Sequence, residues 1–132
     1  MSSANEHVPE IECRIRVVKE RCRATPHSLP FERIPKLLTV NIVLYVVKLL
    51  NLFPTKGRVS ETLSPKTIMS GETLDYKKHL SLQVGHYFQV HEEDLPRNSQ
   101  LARTKGAISL GPSGNLQGGF KFVALNTGKK IV

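Results

Sequence analysis

Cysteine is nearly absent from this chain: only Cys13 and Cys22 occur in 132 residues. On the helix that the surrounding sequence predicts, their nine-residue spacing turns them about 180° apart and separates them by about 13 Å along the axis, beyond disulfide reach. His7 and His27 flank the pair, but the same geometry excludes a four-ligand zinc cluster without breaking the helix. Long apolar runs are missing too. In the most apolar region only Leu37 to Val47 lies between charges, far short of the roughly 20 residues of a membrane span. Met1 to Pro9 is polar and lacks the apolar segment of a signal peptide, which predicts a cytosolic or nuclear protein rather than a secreted one. Also missing are Gly-x-Ser-x-Gly, His-Glu-x-x-His and paired Cys-x-x-Cys patterns, so no complete active site is legible. The glycine-rich run GPSGNLQGGFK lacks the Gly-Lys-Ser/Thr of a phosphate-binding loop and reads as a tight turn between strands.

What the chain does have is a central apolar stretch, Pro35 to Phe53. Its hydrophobic residues cover every side of a helical wheel, and Asn41 and Lys48 are too sparse to make a wet face, so the helix calls for neighbours all round. The β-branched residues in it are compatible with a strand, but buried strands run about 4 to 8 residues, and Pro35 suits a first turn as Pro54 suits a stop. A second helix is predicted from Asn5 to Ala24, opened by Pro9 with Glu10 and Glu12 and closed by basic residues before Pro26. Ile11, Ile15, Val18 and Cys22 form its expected buried stripe. Glu12, Arg16, Lys19 and Arg23 share another face, in the simplest reading a solvated surface laced with salt bridges.

Pro26 to Glu32 reads as a short packed loop, and Pro54 to Leu80 as an extended connector with a turn of helix at Pro65 to Met69. Leu82 to Val90 alternates as a half-buried strand, and His91 to Leu101 is a loop. Ala107 to Leu110, Gly119 to Leu125 and Lys129 to Val132 read as further strands, with a turn at Asn126 to Gly128. The expected class is α+β, with a small and incomplete barrel at the C-terminal end. Its closing apolar strand reads as a truncated end.

The charge is lopsided, with 19 Lys and Arg against 11 Asp and Glu, giving +8. From Leu101 onward Arg103, Lys105, Lys121, Lys129 and Lys130 occur without one acidic residue. Such a surface points to polyanions, held through backbone charge rather than base readout. The plainer alternative is a set of solvated lysines.

Four segments carry a resemblance. NEHVPEIE at 5–12 followed by Arg14 and Arg16, LSPKTIMSGETLDYKKH at 63–79, GHYFQVHEE at 85–93 and the run from Arg103 to Val132 resemble, in the same order, the end of the integrase core and the region C-terminal to it in copia-type retrotransposon polyproteins. The resemblance implies two helices of a ribonuclease-H-like core over 1–54, a connector over 55–80 and an SH3-like β region over 81–132. It also implies that Glu12 corresponds to the glutamate which, with two aspartates on strands preceding Asn5, holds Mg or Mn in that family. Arg14, Arg16, Lys19 and Arg23 would then be cations that position DNA phosphates beside it. The family commonly has a basic residue where Cys13 stands.

The expectation is therefore a non-catalytic integrase fragment with no cofactor of its own. Its partners would be DNA, through non-specific backbone contacts, and further copies through exposed apolar helix surface; neither a membrane nor a small-molecule substrate is expected. A repurposed basic nucleic-acid-binding module, and an integrase subunit supplying Glu12 in trans, stay open as alternatives.

Overall fold

The structure, a computed structural model, describes residues 8–57, 59–91, 100–115 and 117–132. The expected helix start at Asn5 and most of the 91–101 loop lie outside the described residues. Four helices precede four strands: α1 (Pro9–His27), α2 (Lys36–Leu52), α3 (Pro65–Ser70), α4 (Tyr76–His79), β1 (Tyr87–His91), β2 (Thr104–Pro112), β3 (Phe120–Ala124) and β4 (Lys130–Ile131). The class is α+β. Among the described residues no helix is long and apolar enough to cross a membrane.

Local chemistry explains most boundaries. Pro9 starts α1 with a preset φ and no orphaned N–H, and Glu10 and Glu12 face the positive end of the helix dipole. The helix runs through Pro26 rather than ending before it, with Pro26 one residue from its end. The Thr25 and Ser28 hydroxyls donate to the carbonyls of Arg21 and Thr25 there, at 2.9 and 2.7 Å. In α3, the Ser64 hydroxyl accepts from the Thr67 N–H at 3.1 Å, and Gly71 ends the helix in the left-handed region. α4 is an addition to the expected extended connector. Asp75 caps it by accepting from the N–H groups of Lys77 and Lys78.

The core is built on one arc of α2. Leu38, Ile42 and Val46 are buried together with Leu29 from the α1–α2 connection, Val84 before β1 and Leu110 of β2. Val18 and Cys22 of α1 pack against this cluster, and burial raises the Cys22 thiol above its ordinary range. Ile11 and Ile15 do not join it: they stand 58% and 48% exposed, so only the C-terminal half of the expected stripe is used. α2 departs further from expectation. Asn41 is buried, with its amide donating to the Leu37 carbonyl at 2.8 Å, and Lys48 is turned inward to the Pro112 carbonyl at 2.7 Å. Val40, Val43, Leu44 and Val47 face solvent instead. Asn41 is satisfied by its own helix and so can be buried on any face, whereas Lys48 finds its acceptor at the end of β2; Lys36, Thr39 and Asn51 stay exposed.

The four strands form an antiparallel meander in the order β1-β2-β3-β4, an open sheet rather than a closed barrel. Closure would require β1 to meet β4, and β4 contributes only Lys130 and Ile131. Phe88, Ala107 and Ala124 form one cross-strand row and Tyr87, Ile108, Val123 and Lys130 the next, on the opposite face. A register shift lies between Ser109 and Gly111, where the buried Ser109 hydroxyl accepts from the Gly111 N–H at 3.3 Å. The Phe88 and Phe122 rings meet edge to face, 6.1 Å apart. Before β1, the Leu82–His86 segment is not strand, but it is tied to β2 by Gly85 N–H to the Ser109 carbonyl and Ser109 N–H to the His86 carbonyl.

Candidate nucleic-acid interface

Two groups of basic residues sit on different elements. On α1, Glu12, Arg16, Lys19 and Arg23 are all exposed and, with Glu20, line one shallow groove along the helix surface. Spacings of four, three and four residues put them on one side of the helix. Arg14, two positions on from Glu12, lies off this face and is half-buried. The groove sets three cations, Arg16, Lys19 and Arg23, against two carboxylates, Glu12 and Glu20. Among the described residues no three His, Cys, Asp or Glu side chains converge, so the residues on this face do not by themselves fit a two-metal centre.

The second group lies on the sheet. Lys121 in β3 stands opposite Gly111, and Lys130 in β4 opposite Val123. Lys121 and Val123 point the same way along β3, so Lys121 and Lys130 share a sheet face. Lys129 occupies the intervening turn, where its carbonyl accepts from the Ala124 N–H at 2.9 Å and Gly128 adopts a φ of 66°. One hairpin therefore carries three lysines, of which Lys129 and Lys130 are exposed. Lys105, opposite Val90, belongs to the other face, and Arg103 precedes β2. The five basic residues of the tail thus divide into the hairpin trio and a pair at the start of β2.

The sequence did not point to a third cluster. Lys48 crosses from α2 to the end of β2, and Lys66 of α3 and Lys121 of β3 are close enough to act on it electrostatically. Its ammonium is held below the ordinary 10.5 by burial first and by the like charges of Lys121 and Lys66 second. The signal available in the sequence was a single cation inside an apolar helix, a residue that has to find a polar partner when the helix is packed.

The β2–β3 connection itself uses its amides internally. The Ser113 N–H goes to the Gly119 carbonyl at 2.8 Å, Gly118 N–H to the Asn115 carbonyl at 3.2 Å, and Gly119 N–H to the Asn115 side chain at 2.7 Å. Among the described residues these bonds tie the two ends of the glycine-rich run together as a turn between strands, in agreement with its missing Gly-Lys-Ser/Thr. No protein family, curated protein or solved structure matches the chain.

Proposed function

We propose that this chain is a non-catalytic fragment of a copia-type retrotransposon polyprotein that binds nucleic-acid backbone through the basic hairpin of its β region. The family reading rests on the four resembling segments in common order. The observation that carries the binding reading is the concentration of Lys121, Lys129 and Lys130 on one hairpin, in a tail without an acidic residue. Nothing on that hairpin has the geometry of a groove-entering helix, so the contacts are to phosphates and confer little sequence preference. The finer assignment, of α1 and α2 to a ribonuclease-H-like core and of the sheet to an SH3-like module, belongs to the same proposal.

The salt dependence of DNA binding tests the hairpin directly, and two other measurements bear on the rest of the reading. Of the family's three metal-holding carboxylates the resemblance supplies only Glu12, and two-metal chemistry needs several. The protein with magnesium or manganese is expected to join DNA strands no faster than its Glu12→Gln variant; activity clearly above that control removes the non-catalytic reading. Self-association is the second part. Val40, Val43, Leu44 and Val47 leave an apolar arc of α2 in water, with Val40 52% and Leu44 55% exposed, and such surface favours association. Sedimentation should show mass rising with concentration for the wild type and not for Leu44→Glu. A monodisperse wild-type monomer at every concentration would remove this part.

A further inference from the structure

The strongest unexplained feature is a cavity of about 330 Å³ between α2, α3, α4 and the end of β2. Its walls are mainly apolar, including Leu52, Met69 and Pro112, and its polar members include Lys48, Lys66 and His79. The Lys48 ammonium sits 2.7 Å from the Pro112 carbonyl, and a Cβ built on Gly114 would lie 3.8 Å from it. Gly114 itself has a φ of 87°, a left-handed conformation that favours glycine.

We propose that this cavity is an oxyanion site that takes a phosphate group, with Lys48 and Lys66 as its binding cations, Lys121 reinforcing the positive field, and Leu52 and Met69 receiving the organic part of a phosphate ester. The charge balance supports it. Lys66 has one carboxylate partner, Glu72, at 3.9 Å on a partly exposed rim, while Lys48 and Lys121 have no ion pair among the described residues. Lys48, Lys66 and Lys121 set three cations against one carboxylate and so repel one another, which after burial holds the Lys48 pKa down. A dianionic or diester phosphate relieves that repulsion, and the apolar walls strengthen its attraction to the lysines by excluding water. The volume is at the lower end of the range of small-ligand sites, about 300–1,000 Å³. His79, on the same wall, is another side chain with an N–H that can donate to the ligand.

A backbone phosphate and a free phosphate ester present the same oxygens, so the site does not depend on the nucleic-acid reading. The test uses the full chain, with inorganic phosphate titrated against chloride at constant ionic strength and followed by amide and lysine side-chain NMR shifts. Saturable shifts around residues 48, 66 and 114 are expected. Lys48→Gln and, independently, Lys66→Gln should each weaken phosphate binding about tenfold, and replacing the exposed Lys36, Lys36→Gln, should leave it unchanged. Lys66→Gln serves as the second variant because α3 is short and peripheral, so the test does not depend on Lys48→Gln folding. Absence of saturation in the wild type, or equal weakening by Lys36→Gln, overturns the site. Adding duplex DNA at low salt then identifies the source: displacement of phosphate supports a backbone phosphate, and simultaneous binding supports a separate phosphate ester. Failure of DNA binding with phosphate binding intact rejects the proposed function and leaves the site standing.

Discussion

Gly85→Ala should cost about 3 kcal/mol of folding stability, a large share of what a domain of this size has to lose. Two effects combine there. Gly85 adopts a φ of 85°, a left-handed conformation that an alanine occupies at a penalty of about 1 kcal/mol. A Cβ at this position would also collide with the side chain of Leu29, a buried member of the core cluster. Neither neighbour can yield easily, because the Gly85 N–H is committed to the Ser109 carbonyl at 2.8 Å and Leu29 is enclosed by the core. Overpacking of that kind typically adds about 1–3 kcal/mol. Gly128→Ala is the matching control: its φ is 66°, with nothing within 4 Å of an added Cβ, so it should show only the conformational term of about 1 kcal/mol. Urea denaturation of both variants separates the two effects, and equal losses would mean that Leu29 does not close over Gly85.

The second large effect is on nucleic-acid affinity. If the hairpin lysines and their neighbours neutralise roughly three to five phosphates, the log–log slope of binding against salt for duplex DNA is about −3 to −4.5. Raising salt from about 50 to about 200 mM should then weaken binding by roughly two orders of magnitude. Lys129 and Lys130 are both exposed on the final hairpin. Replacing both with alanine should reduce the slope by about two and weaken unrelated duplexes to the same degree, as loss of backbone contacts does. Fluorescence anisotropy across a salt series, on two duplexes of unrelated sequence, measures both quantities. A flat slope would return these lysines to an ordinary solvated surface, and a strong preference for one duplex would call for base readout that the hairpin does not offer.

Composition and periodicity alone determined the apolar central helix, the α1 helix with its charged face, the short helix beginning at Pro65 and the strand alternation of Phe88 and Val90. These are local properties: Pro35 and Pro54 bracket α2, Ser64 caps α3, and a period of two marks a strand with one covered face. The hairpin turn at 126–128 was legible for the same reason, because a left-handed Gly128 is written into the residue type. α4 went unread although Asp75 caps it, since four residues are too few to show a helical period.

Only tertiary structure decided which side of α2 is buried. A helix apolar on every side has no preferred face, and the buried one was set from outside it: Leu29, Val84 and Leu110 close over Leu38, Ile42 and Val46, and Lys48 found its acceptor sixty-four residues away in Pro112. The same choice left Val40 and Leu44 in water and brought Lys48 near Lys66 and Lys121, three cations with no pattern in sequence to join them. Sheet closure was likewise a long-range matter. Short alternating strands are common to open meanders and closed barrels, and pairing between first and last strands depends on their meeting in space, which β1 and β4 do not do here.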